Sequence, residues 1–144
     1  MKTPLTILLL IIGATGFAQS ETALLNQGDS LFKINKTKEA IDAYTKLITK
    51  NPKQEKARFK RALAYQHLQK NDLSAIDYKE VLKINPACAN CFMRLGELSM
   101  RKNDTAMALS YAQKAQTTDS NFYGGYLLKA RIAELKEQFD EASV

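Results

Sequence analysis

The sequence predicts an all-α fold, an α-solenoid of about three helix-turn-helix repeats plus a C-terminal capping helix. Three observations predict it. Of 144 residues, 45% are hydrophobic but only 6 are Gly and 3 Pro, enough apolar material for a core and too little turn chemistry for a sandwich or barrel. Pro52 and Pro86 stand 34 residues apart, a separation that calls for a test of internal repetition. Between such punctuation, apolar residues recur at helical spacing, as in Ala40, Ile41, Tyr44, Leu47, Ile48 and in Ala57, Leu63, Ala64, Leu68.

Residues 1–18 read as a secretory leader rather than as part of the fold. Lys2 supplies the positive start, Leu5 to Ile12 the apolar run, and Gly16 and Ala18 the small-x-small pattern before a cut after Ala18. The apolar stretch spans at most 14 residues, where a membrane span needs roughly 20. Gln19 rather than Cys follows the small residues, so no lipid anchor is expected. The leader resembles those of Gram-negative envelope proteins, which implies a periplasmic or secreted protein with no transmembrane anchor after cleavage.

Charge is uneven along the chain. Lys and Arg number 21 against 15 Asp and Glu, a net +6. Between Lys33 and Arg61 ten basic residues face only Glu39, Asp42 and Glu55, a local excess of +7. An exported protein rarely meets nucleic acid, so no nucleic-acid partner is expected despite the basic balance. A solvated helix surface, an acidic partner or an anionic membrane surface are the readings left.

Stepping by 34 residues aligns Gly28, Ala62 and Gly96; Leu31, Tyr65 and Ser99; Ala40, Ser74 and Ala108; Leu47, Val81 and Ala115; Asn51, Asn85 and Asp119. The repeats run 21–54, 55–88 and 89–122, with a capping helix and partial fourth repeat over 123–144. Polar turns at 35–37, 70–72 and 102–104 divide each repeat into two helices, with Thr37, Asp72 and Asp104 as expected N-caps. Pro52 and Pro86 close the first two, because proline cannot continue a helix. Gly28, Ala62 and Gly96 mark close helix approaches, with Ala40, Ala108 and Ala115 facing them. The second repeat reads as holding one extra turn residue, which puts Ala75 rather than Ser74 in the packing position. The last helix is expected over about Tyr123 to Lys136, followed by the stub of another, with Arg131, Glu134, Lys136 and Glu137 as its polar side.

This pattern resembles the tetratricopeptide repeat family, a 34-residue helix-turn-helix with small residues, an aromatic and a closing proline at set places. The first repeat matches with Gly28, Ala40, Tyr44 and Pro52, the second with Ala62, Ser74, Tyr78 and Pro86. The third has Gly96 and Ala108 but Ala112 and Ser120 in place of the aromatic and proline; Ala130, Phe139, Asp140, Glu141 and Ala142 echo a fourth.

Catalytic constellations are scarce. His67 is the single histidine, and no Gly-rich phosphate loop or nucleophile elbow occurs. Glu134, Glu137, Asp140 and Glu141 interleave with Lys129 and Lys136 and read as solvated surface. No enzyme, cofactor or metal is expected. Cys88 and Cys91 are the chemically sharp feature, and three readings stay open. They form a disulfide clipping the junction between repeats, they exchange thiols from a helix N-terminus, or they contribute half of a zinc site that lacks its other ligands.

The resemblance implies a protein or peptide segment bound along a concave groove lined by the first helices. Projected onto this chain, the groove residues are Phe32 and Lys33; Phe59, Lys60, Leu63 and His67; Met93, Arg94, Glu97 and Arg101; Leu128 and Arg131. They mix apolar and basic character, which suits a partner offering acidic and apolar side chains. The family's carboxylate clamp is not carried over. It requires Lys and Asn where Leu25 and Asp29 stand, Asn where Lys60 stands and Lys where Asn90 stands; only Arg94 matches. The sequence thus points to a non-catalytic binding scaffold of the cell envelope, with thiol-disulfide chemistry at Cys88 and Cys91 as the alternative.

Overall fold

The computed structural model describes residues 21–142, with side chains through Gln138. The expected leader lies outside the described residues. Those described form seven helices and no strand. They are α1 (21–33), α2 (Thr37–Lys50), α3 (Glu55–His67), α4 (Asn71–Ile84), α5 (Ala89–Arg101), α6 (Thr105–Thr118) and α7 (Tyr123–Ala142). The all-α class with helical-hairpin repeats and a final helix is therefore what the chain adopts. It parts into two compact units between Leu68 and Gln69, α1 to α3 in the first and α4 to α7 in the second.

The 34-residue register is written most plainly in the turns. Asn51, Asn85 and Asp119 each accept through Oδ1 the backbone N–H two residues on, at 3.1, 3.1 and 2.9 Å. Their carbonyls accept from Gln54, Cys88 and Phe122 at 3.0, 3.2 and 3.1 Å. A short polar side chain that mimics a backbone turn is what this bend needs, and in the first two turns it replaces the helical bonds that Pro52 and Pro86 forbid. The turns inside the repeats share another device. Asn35, Gln69 and Asn103, again 34 apart, take left-handed φ of 62°, 58° and 59°. Lys36 N–H reaches back to Leu31 O at 2.9 Å and Asp104 N–H to Ser99 O at 3.0 Å, closing the carbonyls at the helix ends.

Gln69 corrects the sequence reading of the second repeat. Its left-handed bend falls in register with Asn35 and Asn103, so no extra turn residue exists, and Ser74 is fully buried while Ala75 is only half-buried. Two expected caps also differ. Asp104 does cap α6, accepting from Met107 N–H at 2.9 Å. Thr37 and Asp72 already lie inside α2 and α4, whose N-caps are Lys36 and Lys70. Their side chains are engaged elsewhere, Thr37 Oγ1 with His67 Nδ1 at 3.2 Å and Asp72 with Lys102 Nζ at 2.6 Å.

In the first unit Leu47, Ile48 and Ala57 form a buried cluster with Leu24 and Leu25 against it. Tyr44 is fully buried, and its ring lies where a Cβ on Gly28 would sit. The small residue at 28 thus makes room for the Tyr44 ring. In the second unit Ala108, Ala112, Leu128 and Ile132 form the core, joined by Met93 and Met100. Gly96 lets α5 approach both α6, with Ala108 O at 3.3 Å from the Cβ it lacks, and Leu128 of α7. Ala112, standing where the other repeats carry tyrosine, lets Gly125 close on its carbonyl at the same 3.3 Å.

The end of the chain departs from expectation. α7 runs unbroken to Ala142, so no stub of a further helix begins near Lys136. The position 34 beyond Asn103 is Glu137, a good helix former with no tendency to the left-handed bend, and the local sequence carries on as helix. The polar side expected of a capping helix holds from Arg131 onward, whereas the first turns expose Tyr123, Tyr126 and Leu127.

Candidate functional site

The first unit brings together two groups of the expected groove residues. Lys60 on α3 donates to Asp29 Oδ2 at 3.3 Å, while Tyr44 O–H donates to Asp29 Oδ1 at 2.7 Å. Lys60 is therefore not an uncommitted cation: a carboxylate of the same unit already faces it, with the Lys60 side chain 42% exposed. In the second group the Phe32 and His67 rings meet edge to face at 5.7 Å, and His67 Nδ1 holds the buried Thr37 hydroxyl. Phe59 and Leu63 are half-buried and Lys33 is exposed.

In the second unit Glu97 of α5 is shared by two arginines. Arg94 Nη1 lies 3.1 Å from its Oε2, one helical turn away, and Arg131 Nη1 of α7 lies 3.8 Å from its Oε1. Arg94, Glu97 and Arg131, all among the expected groove residues, thus form one cluster. Two buried polar atoms close by, Arg94 Nε and Asn90 Oδ1, have no partner among the described residues. Arg101 is exposed and apart from this cluster's bonds. Met93 packs half-buried against the core. Leu128, expected in the groove, is 2% exposed and belongs to the core. Its place is set by Gly96, whose missing side chain leaves the space that Leu128 fills.

Cys88 and Cys91 are joined as a disulfide at the start of α5. Cys88 is the helix N-cap, its Sγ accepting the Cys91 N–H at 3.2 Å, and Cys91 is fully buried. Among the described residues no three or more His, Cys, Asp or Glu side chains gather as a metal site, and no helix is long and apolar enough to cross a membrane.

Asp29, Tyr44 and Tyr78 were not singled out as site residues, and only the tertiary contacts bring them forward. Burial holds the Tyr44 phenol above its ordinary range, and the Asp29 carboxylate it bonds adds to the effect. Burial likewise raises Tyr78, which the neighbouring Arg94 charge only partly offsets. A phenol harder to ionise in the folded chain contributes stability that is complete below the unfolded value, about pH 10, and is lost as pH rises past it. Helicity is therefore expected to hold to about pH 10 and then to fall. Tyr44→Phe and Tyr78→Phe should each make that alkaline decline shallower in circular dichroism; a decline as steep as the native chain's in both variants would contradict this origin.

Models of the tetratricopeptide repeat match residues 22–53 and 55–88. Among solved structures, the chain is similar to the first tetratricopeptide domain of Spaghetti (RPAP3) bound to an HSP90 peptide. The two are 23% identical with a TM-score of 0.75, covering 83% of this chain and 94% of that one. It is similar also to the TPR2B domain of yeast Sti1, at 19% identity and TM-score 0.73, covering 83% and 98%. A tetratricopeptide protein of Parabacteroides merdae matches at 21% identity and TM-score 0.76, covering 84% of this chain and 47% of that one. No curated protein matches the chain. At such identities the likeness is one of fold.

Proposed function

Because residues 22–53 and 55–88 are tetratricopeptide repeats, we propose that the protein is a non-catalytic scaffold that binds an acidic, partly apolar peptide segment. The observation that carries this is the Arg94–Glu97–Arg131 cluster. Two guanidiniums share one carboxylate, so positive charge and most of their N–H donors remain for a ligand. Arg131, 55% exposed, is the accessible end. Similar domains are described with peptides of this kind, the Spaghetti domain with SRMEEVD from HSP90. In this reading α5 and α7 of the second unit present the binding surface, and the leader over 1–18 sends the chain to the cell envelope.

The alternative, thiol-disulfide exchange, gains less support. An attacking thiolate must reach a sulfur, and of the pair only Cys88 is half-exposed. We assign the disulfide to clipping the start of α5.

A panel of short peptides pairing Asp or Glu with Leu, Met or Phe tests the scaffold. Titrated by fluorescence anisotropy, some should bind the native chain and bind Arg94→Glu with Arg131→Glu roughly tenfold or more weakly, the scale of lost charge-assisted bonds. Lys102→Glu, an exposed cation of the same unit paired with Asp72, should leave affinity unchanged. Equal affinity in the double variant, or no binding by any peptide, overturns the reading.

A further inference from the structure

Helices α5 and α7 hold equivalent places in the repeat, yet one face of each is treated differently. On α5 that face runs through Ala89, Phe92, Gly96 and Ser99, all buried or half-buried. Helix α6 lies over its middle: the Phe92 ring stacks on Tyr111 at 6.5 Å, and Ala108 O stands 3.3 Å from the Cβ that Gly96 lacks. Thirty-four residues on stand Tyr123, Tyr126, Ala130 and Ala133 of α7. All four are exposed, the tyrosines by 72% and 51%, while Gly125, Leu128 and Ile132 form the buried side of the helix. Among the described residues α7 thus carries the face of a hairpin helix with no second helix laid on it.

The uncovered residues are spaced for helix pairing. Tyr123, Tyr126, Ala130, Ala133 and Glu137 recur at alternating steps of three and four, which keeps one stripe of a helix against a neighbouring helix. The stripe changes along its length, aromatic at the start, small in the middle and acidic at the end. A second α7 laid parallel would set Glu137 against Glu137, and like charges repel. Laid antiparallel, it sets Ala130 against Ala133 at the crossing and Tyr126 against Glu137 on either side. Small residues at a crossing let two helix axes approach closely, as Gly96 and Ala108 do between α5 and α6. Tyr126 is already held in position, its O–H donating to Ser120 O at 3.3 Å, with the ring left exposed.

We propose that this face of α7 docks a second copy of the chain, the two α7 helices pairing antiparallel about a two-fold axis. Such an interface requires one patch complementary to itself, and the stripe is so only in the antiparallel sense. Arg131 leaves α7 on another side, toward Glu97 of α5, so the inference does not rest on the peptide reading. A helix of 20 residues is about 30 Å long. One such face from each copy covers less than the ~1,200 Å² at which stable interfaces begin. The dimer is therefore reversible, with a dissociation constant on the order of 10–100 µM.

Sedimentation equilibrium of the full chain from about 5 to 500 µM, a range that spans this constant, tests it. The average mass should rise from that of one chain toward that of two. Ala130→Glu with Ala133→Glu gathers four carboxylates at the crossing and should weaken association roughly tenfold or more. Ala130→Gln with Ala133→Gln reads the same stripe should the charges disturb folding, which circular dichroism reports. Ala106→Glu with Ser110→Glu, at exposed positions on α6 of the same unit, should leave association unchanged. Oxidative cross-linking reads the direction: an Ala130→Cys chain mixed with an Ala133→Cys chain should form covalent dimers more readily than either alone. A single-chain mass at every concentration, or association that survives the α7 substitutions as the apolar run 5–12 would give, overturns the proposal. So does growth beyond two chains, or equal cross-linking by each cysteine variant on its own.

Discussion

Tyr44→Ala is expected to remove about 3–5 kcal/mol of stability from the first unit, the range for deleting a buried aromatic ring. The ring is fully buried, fills the space left by Gly28, and its hydroxyl holds Asp29, which in turn faces Lys60. Truncation opens a cavity that the α1 backbone at Gly28 can close only by moving, and it takes one bond from Asp29. Tyr44→Phe keeps the ring and loses only the bond to a partly exposed carboxylate, so about 1 kcal/mol is expected. Urea unfolding followed by circular dichroism separates the two. A small loss in the alanine variant would mean that Gly28 and Tyr44 do not pack as described.

Leu128→Ala should cost about 2–5 kcal/mol in the second unit, as a buried leucine does. The same substitution distinguishes the structure from the groove expectation drawn from sequence. A groove leucine lost to alanine leaves the unfolding midpoint in place and weakens peptide binding. A core leucine lowers the midpoint, because it touches Ala108, Ala112 and Ile132 and occupies the gap at Gly96. An unchanged midpoint with weakened binding would return Leu128 to the groove.

The helix count over the three repeats, the 34-residue register and the inter-repeat turns were legible in the chain alone, because each depends on residues close in sequence. Apolar spacing marks a helix face, proline ends a helix, and Asn51, Asn85 and Asp119 build the same turn wherever the register puts them. Local signals failed where more than one backbone answer was open. Asn35 and Asn103 announce a left-handed bend, but Gln69 carries no such signature and takes it because the repeat demands it. The end of α7 erred the other way, since an echo of repeat composition did not supply a residue suited to the bend.

The candidate site was legible only in outline. Helical spacing placed Arg94 beside Glu97, but the approach of Arg131 on α7 depends on helix packing across more than thirty residues. The same holds for Asp29, which neutralises Lys60 from 31 residues away, and for Leu128, drawn inward by a glycine on another helix. The sequence by itself determined the repeat, its turns and the uneven distribution of charge. Tertiary structure decided which charges are already answered, which apolar side chains are core, and which face of α7 is left uncovered, because those contacts exist only once separate helices are packed.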